Sequence, residues 1–191
     1  GVRMILTKAS FDILRKELFG GTLSTSQVQA LNFLVEKCKL SGMTYPECAY
    51  TLATVYHETG VPVKGKGVER TMLPIKEAGS DAYLRSKKYY PYIGYGFVQL
   101  TWKSNYKRVG DLIGVDLIKN PEKALEPEIA AKIMVQGMLN GWFTGVGFRR
   151  KRPVVRYDRA AYVRARAIIN GTDKAELIAD YAMTIEKALR S

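Results

Sequence analysis

The sequence predicts a mainly α-helical fold with one irregular region of loops and short strands. Two capping boxes, Ser24 to Gln27 and Thr44 to Glu47, each precede apolar residues that recur every three or four positions. The same period predicts helices over residues 102–113, 127–139, 158–169 and 173–189. By contrast, residues 61–98 contain glycines, prolines and lysines without a sustained period, which is typical of surface loops with at most short strands.

Helix ends can be placed from single residues. The first capped helix is expected to end at Gly42, and the second, with Pro46 in its first turn, at Gly60. Glu58 therefore lies in the last turn of the second helix. The final helix is expected to bury one apolar stripe formed by Leu177, Ile178, Tyr181, Ala182, Ile185 and Leu189.

Length and composition favour one domain over residues 1–191. The chain has 191 residues, of which 47% are hydrophobic, and no linker-like tract divides it. Charged residues at Lys8, Asp12 and Arg15 interrupt the N-terminal apolar residues, so we expect no signal peptide, and no stretch is long enough to span a membrane.

The chain has two cysteines, Cys38 and Cys48, and a single histidine, His57. Three such residues cannot form a zinc cage, and His57-Glu58 is not followed by the second histidine of an HExxH zinc protease. We therefore expect neither a metal nor a cofactor. Reduced cysteines are the favoured interpretation, although one disulfide stays possible. A Cys-His peptidase lacks an orienting partner, and His57 is expected to brace a loop carbonyl or a carboxylate.

The formal net charge is +12, from 30 Lys and Arg against 18 Asp and Glu. This excess predicts attraction to a polyanion, whether nucleic acid, anionic lipid or an acidic cell wall, and a solvated basic face is the alternative. A C-terminal basic cluster consists of Arg149, Arg150, Lys151, Arg152, Arg156, Arg159, Arg164 and Arg166. A second group surrounds Glu77 and consists of Lys64, Lys66, Arg70, Lys76, Arg85, Lys87 and Lys88.

Two glutamates are candidates for acid and base chemistry. Glu58 meets the negative end of a helix dipole, and burial would add to the preference for its protonated form, which suits a general acid. Its neighbours Thr51, Thr54 and Val55 form the less apolar side of the helix, which would let it face a cleft. Glu77 lies among cations that would keep it ionised, as a general base requires. Glu69 is a rival for the second role.

The segment around Gly94, Tyr95 and Gly96 is rich in aromatic residues. It is not a phosphate loop, because Gln99 follows where a third glycine or a Gly-Lys pair would stand. The aromatic side chains could form a floor for sugar rings, with hydrogen bonds from Gln99, Thr101 and Asn105, or they could form part of the core. They are Tyr89, Tyr90, Tyr92, Tyr95, Phe97 and Trp102.

Together these segments resemble glycoside hydrolase family 19, the chitinase-like family that includes many bacteriophage endolysins. The resemblance runs from Ala49 to the C-terminus. It is carried by His57-Glu58-Thr59, Thr71 to Glu77, and Gly94-Tyr95-Gly96-Phe97-Val98-Gln99-Leu100-Thr101-Trp102 with Asn105-Tyr106. Gly114 to Leu117 with Asn120-Pro121, Gly141 to Gly145, and Arg166 to Gly171 continue it in the family's order.

The resemblance implies a lysozyme-like helical domain with the irregular region beside a catalytic cleft. It implies that Glu58 is the acid, that Glu77 is the base, and that Thr101 helps to hold the attacking water. It implies that Gln99, Asn105 and Asn170 bind substrate. We expect His57, Tyr92 and Trp102 to bind substrate as well. Because the family inverts the anomeric configuration, the two carboxyl groups should stand about 6.5–9.5 Å apart.

Two departures from the family pattern stand out. Tyr95 replaces the arginine that the family usually has between the two glycines, so we expect no ion pair from this position. The segment from Gly60 to Arg70 is also longer than in the endolysin branch, and its Lys64-Gly65-Lys66-Gly67 is expected to form a mobile lip over the cleft.

The function that the resemblance implies is hydrolysis of the β-1,4 bonds of peptidoglycan by an endolysin. Such an enzyme would act as a monomer without a separate wall-binding domain. It would be stored in the host cytoplasm, act on the wall in the periplasm, contact the anionic envelope through its charge, and have no specific nucleic-acid partner. A chitinase acting on chitin oligomers is the nearest alternative. A catalytically silent wall-binding or nucleic-acid-binding module is the alternative from another class.

Overall fold

The computed structural model describes residues 3–151 and 158–191. Within them the chain forms eight α-helices, two short 3-10 helices and four short strands, so the predicted mainly α-helical class is confirmed. The described residues divide into two compact units, the first comprising those up to Met72 and those from Val135 onward, the second comprising Leu73–Met134. The prediction of a single domain over the whole chain stays a prediction.

Helices form most of the first unit. They are α1 (Lys8–Glu17), α2 (Thr25–Leu40), α3 (Tyr45–Glu58), α7 (Arg159–Ala165) and α8 (Ala175–Leu189). The unit also contains the end of α6 (Pro127–Asn140), which precedes α7, and a 3-10 turn at Arg166–Ile168 between α7 and α8. The central helix is α3, which packs against α8 and α2, while α8 also contacts α1 and α7.

The surroundings of α3 differ from the expectation. Thr51 and Thr54 are fully buried, so this side of the helix does not face a cleft. Each threonine hydroxyl donates to the backbone carbonyl four residues earlier, at 2.8 Å to Glu47 and 3.0 Å to Tyr50. Such back-bonding satisfies the hydroxyl inside the protein, which is why a polar residue type did not mark an exposed face.

The stripe of α8 is also partly different. Its buried apolar residues are Ala175, Ile178, Ala179, Ala182, Ile185, Ala188 and Leu189, whereas Leu177 is 41% exposed. Leu177 and Ile178 are adjacent and point about 100° apart on a helix, so both cannot lie at the centre of one stripe. The alanines on the buried side have small side chains, which suits close packing of α8 against α3.

Two antiparallel two-stranded sheets occupy the region predicted as loops with short strands. In the first unit, β1 (Gly60–Val63) pairs with β2 (Gly67–Arg70), with Gly60 opposite Arg70. The Lys64 to Gly67 stretch is thus the tip of a defined hairpin. In the second unit, β3 (Ile75–Lys76) pairs with β4 (Tyr95–Gly96), with Ile75 opposite Gly96.

The second unit also contains α4 (Asp81–Arg85), α5 (Lys103–Ile113), a 3-10 turn at Pro121–Leu125 that packs on β4, and the start of α6. Its core includes Phe97 and Tyr106, which are almost fully buried. The Tyr106 hydroxyl donates to the carbonyls of Ile93 (2.5 Å) and Leu100 (2.9 Å). The aromatic segment is therefore partly core and partly surface, since Trp102 is 49% exposed.

Cys38 and Cys48 are both buried and free, so the disulfide that the sequence left open is not formed. Burial is the main cause that raises the pKa of the Cys48 thiol, and the neighbouring Cys38 adds to it. In residues 3–151 and 158–191, no helix is long and apolar enough to cross a membrane. The same ranges contain no cluster of three or more His, Cys, Asp or Glu side chains suited to a metal ion.

Candidate active site

Glu58 is the last residue of α3 and lies beside a buried arginine. Its side chain is 24% exposed, and its Oε1 lies 3.7 Å from Nη2 of Arg166, whose side chain is only 2% exposed. Burial raises the pKa of Glu58, while the Arg166 guanidinium opposes the shift. Glu58 therefore keeps its proton to a higher pH than an ordinary glutamate does, as expected for a general acid, and desolvation is the larger cause.

Arg166 is fully buried, whereas its place in the C-terminal basic cluster had predicted a cation available to a polyanion. It is the first residue of the 3-10 turn after α7, and its Nε donates to the carbonyl of Asp173 at 2.6 Å. A cation without solvent is stable only when a counter-charge or acceptors surround it, and Glu58 supplies the charge here. The sequence signal that could have indicated Arg166 as a site residue is its position in the Arg166 to Gly171 segment, which resembles the family.

Two residues fix the end of α3. The Thr59 hydroxyl donates to the Val55 carbonyl at 2.7 Å and accepts from the Met72 amide at 3.1 Å. Arg70 of β2 donates to the carbonyls of Tyr56 and His57, which are orphan acceptors at a helix C-terminus. The hairpin therefore serves as the cap that positions Glu58.

His57 is half-buried next to Glu58. Its Nδ1 is buried and has no hydrogen-bond partner among the described residues, so the expected bond from this atom to a loop carbonyl or carboxylate is not observed. Burial, followed by the charges of Arg166 and Arg70, lowers the pKa of His57, which favours the neutral imidazole. His57 as a substrate-binding residue stays a prediction.

Glu77 lies in the second unit, directly after β3, and its carboxylate is held by two uncharged donors. Oε1 accepts from the backbone amide of Gly94 at 2.9 Å, and Oε2 accepts from the hydroxyl of Tyr89 at 2.6 Å. The Glu77 amide in turn donates to the Gly94 carbonyl at 2.6 Å. Each carboxylate oxygen of Glu77 is thus held by one uncharged hydrogen-bond donor.

The cations expected around Glu77 do not pair with it. No Lys or Arg of the described residues forms an ion pair with Glu77; Arg70 packs over the Tyr56 ring at 4.8 Å, and Lys87 lies over the Tyr83 ring at 4.2 Å. These two side chains make cation–π contacts with aromatic rings instead.

Glu69 has different surroundings from Glu77. It is exposed on β2, opposite Val61, and it lines a cavity of about 640 Å³ in the first unit together with Phe19 and Tyr56. Its carboxylate makes no hydrogen bond or ion pair within the residues that the structure describes. A base must hold its water in a fixed geometry, so these surroundings favour Glu77 over Glu69.

The segment containing Thr101 has an unusual backbone. Gln99 (φ 52°) and Trp102 (φ 73°) both have positive φ angles that non-glycine residues rarely adopt, and such residues cluster at functional sites. Side chains secure the turn, because the Gln99 amide donates to the Ile75 carbonyl and the Asn105 amide donates to the Thr101 carbonyl, each at 3.0 Å. Thr101 itself is half-buried.

Gly94 is required by the close packing in this turn. A Cβ atom on Gly94 would lie 2.7 Å from Oε1 of Gln99 and 3.3 Å from Cβ of Glu77. The absent side chain thus lets the Gly94 backbone approach the Glu77 carboxylate, which is a reason for glycine that the sequence pattern alone did not give.

The remaining expected substrate-binding residues have mixed settings. The Tyr92 hydroxyl donates to the Ile118 carbonyl at 3.0 Å, so this group is already engaged within the second unit. The exposed Trp102 packs against Tyr89, with ring centroids 5.4 Å apart. In the first unit, Asn170 is exposed, and its backbone N–H donates to the backbone carbonyl of Arg166 at 2.9 Å.

Each unit thus contains some of the predicted catalytic and substrate-binding residues. The first contains His57, Glu58 and Asn170 around Arg166, and the second contains the rest around Glu77: Tyr92, Gln99, Thr101, Trp102 and Asn105. Arg166 and Tyr89 contact the two proposed catalytic carboxyls directly, and neither was predicted as a site residue.

The structure is similar to solved structures of chitinases. Chitinase C from Streptomyces griseus matches with a TM-score of 0.62 and 20% identity, over 100% of this chain and 96% of that chain. A mutant of chitinase C matches with a TM-score of 0.58 and 20% identity over the same shares. A bacterial family 19 chitinase matches with a TM-score of 0.55 and 21% identity, over 96% of this chain and 94% of that chain.

No protein-family model matches the sequence, and no curated protein matches it. The structural matches nevertheless show that the chain has the fold of the family 19 chitinases, in agreement with the resemblance of its motifs. At this identity the likeness shows the fold, and the chemistry has to be argued from the residues.

Proposed function

We propose that this protein is a glycoside hydrolase that cuts β-1,4 bonds between amino sugars by an inverting mechanism. The observation that carries the proposal is the contrast between two carboxyls on a chitinase fold. Burial raises the pKa of Glu58, whereas Glu77 accepts one hydrogen bond on each of its two carboxylate oxygens. Opposed environments of this kind are the usual mark of an acid and base pair.

In the proposed reaction Glu58 donates its proton to the leaving glycosidic oxygen, and Glu77 takes a proton from the attacking water. The water oxygen bonds to the anomeric carbon on the face opposite the leaving group. Thr101 helps to hold that water, and Arg166 stabilises the Glu58 carboxylate that the first proton transfer creates. The separation of 6.5–9.5 Å between the two carboxyls stays a prediction of the resemblance.

The proposed substrate is bacterial peptidoglycan, and the proposed role is that of an endolysin. The net charge of +12 favours an anionic wall over neutral chitin. In this account the protein is a monomer that is stored in the host cytoplasm and acts in the periplasm. Lysis of permeabilised Gram-negative cells, followed by turbidity beside cleavage of soluble chitin oligomers, separates this role from that of a chitinase. A silent wall-binding module would show neither activity.

The catalytic assignment is tested with Glu58→Gln, and Glu69→Gln serves as the matched control. Loss of the proton donor should lower kcat by about 10²–10⁴-fold, the usual worth of a positioned acid or base, while Glu69→Gln should retain the parental rate. Circular dichroism and thermal unfolding check that both variants fold. Parental activity in Glu58→Gln would refute the assignment, and an inactive Glu69→Gln would move the site toward the hairpin.

A further inference from the structure

We propose that Tyr89 is a positioning residue for the general base, acting through its hydrogen bond to Glu77. The inference rests on the proposed role of Glu77 and adds a residue that the family motifs do not contain. Among the described residues, Tyr89 is the only side chain that donates a hydrogen bond to this carboxylate.

The two donors to Glu77 reach different oxygens. The Tyr89 hydroxyl lies 2.6 Å from Oε2 and the Gly94 amide lies 2.9 Å from Oε1. The terminal torsion of a glutamate is otherwise broad, so one donor alone leaves the second oxygen free to swing. Two donors on opposite oxygens fix the plane of the carboxylate and leave one lone pair on each oxygen for water.

The Tyr89 hydroxyl is suited to remain a donor while the base works. Its hydrogen bond to Glu77 is the main cause that raises the pKa of Tyr89 to about 12. The phenol therefore stays protonated at every pH at which a glutamate base would act, and it cannot exchange roles with the carboxylate.

The ring of Tyr89 is braced by the same turn that contains Thr101. Its centroid lies 5.4 Å from that of Trp102 at an interplanar angle of 55°. The Trp102 amide donates to the Tyr92 carbonyl at 2.9 Å, which ties this tryptophan to the segment that follows Tyr89. Packing of the ring thus sets the direction of the hydroxyl, as preorganisation of a catalytic group requires.

The test separates the hydroxyl from the ring. Tyr89→Phe keeps the packing on Trp102 and removes the donor, so kcat on purified peptidoglycan should fall about 10–100-fold, the worth of one hydrogen bond to a charged group, with KM within about twofold of the parent. Tyr83→Phe is the matched control, because its exposed hydroxyl makes no hydrogen bond within the described residues. It should keep parental kcat and KM.

A double-mutant cycle shows whether Tyr89 acts through Glu77. In a Glu77→Gln background, adding Tyr89→Phe should lower kcat by less than about twofold, because the group that it positions is already absent. Parental kcat in Tyr89→Phe, a change in KM alone, or the same loss of kcat in both backgrounds would overturn the inference. Parental kcat in Glu77→Gln would instead overturn the proposed function, and this inference with it.

Discussion

Glu58 and Glu77 are the same residue type, yet the protein surrounds one with apolar burial and a cation and the other with hydrogen-bond donors. The sequence located both, because His57-Glu58-Thr59 and the Thr71 to Glu77 segment are contiguous motifs. It could not locate Arg166 or Tyr89 as their partners. Those contacts depend on tertiary packing. Among many neighbouring basic or aromatic residues, nothing in the local sequence distinguishes the one that contacts a catalytic carboxyl.

The raised pKa of Glu58 predicts the position of one limb of the pH profile. A general acid must be protonated, so kcat should fall as pH rises through the pKa of Glu58, at a higher pH than for an ordinary glutamate. Arg166 opposes the shift, so Arg166→Gln should move this alkaline limb to still higher pH. Arg164→Gln, which changes an exposed arginine, should leave the limb in place.

Measured kcat between pH 4 and 9 decides this prediction. An alkaline limb that moves to lower pH in Arg166→Gln would contradict the arrangement of charges around Glu58. The comparison with Arg164→Gln removes any general effect of lower net charge, because the two variants have the same formal charge.

At the scale of helices and strands, capping chemistry was the most dependable signal. The boxes at Ser24 and Thr44 open α2 and α3 as predicted. The helix α1 was not predicted, although Thr7 and Ser10 form a capping box there, because serine replaces the usual Glu or Gln at the third position. The buried side chains of α8 could be predicted only in part. The helical period groups residues on one side of the helix, but it does not show which of two adjacent apolar residues faces the core.

Glu47 has a second partner that local sequence could not reveal. Besides capping α3, its buried carboxylate forms an ion pair with Arg149, and Arg149 Nη2 lies 2.8 Å from Oε1. Arg149→Ala should lower the free energy of unfolding by about 1–3 kcal/mol, because it leaves a buried acceptor unsatisfied. Arg150→Ala, an exposed neighbour, should change it by less than about 0.5 kcal/mol. Urea unfolding measures both, and equal values would contradict a structural role for Arg149.

At the scale of the whole molecule, the net charge was readable from composition, but its distribution was not. Of the C-terminal cluster, Arg149 pairs with Glu47, Arg159 pairs with Asp180 at 2.7 Å, and Arg166 is buried. Arg152 and Arg156 lie outside the described residues. Sequence separation explains the difference, because Glu47 and Arg149 are 102 positions apart and no local pattern connects them.

Docking on an anionic wall is therefore expected to depend on the exposed cations Arg150, Lys151 and Arg164. Reversing all three to Glu should slow lysis of permeabilised cells and weaken its dependence on salt, with little effect on a neutral soluble oligosaccharide. The control reverses Lys119, Lys123 and Lys132, which changes the net charge equally. If both triple variants lose lysis to the same extent, net charge and not this cluster governs docking.

The proposed acid and base, Glu58 and Glu77, define a glycoside hydrolysis that inverts the anomeric configuration. The most direct measurement is proton NMR of the products formed from a β-1,4-linked amino-sugar oligomer, recorded before the new reducing ends mutarotate. The first new reducing ends should be in the α configuration, because water attacks the face opposite the leaving group. New reducing ends in the β configuration would contradict the role of Glu77 as a base, and the absence of any cleavage of amino-sugar polymers would contradict the proposed activity.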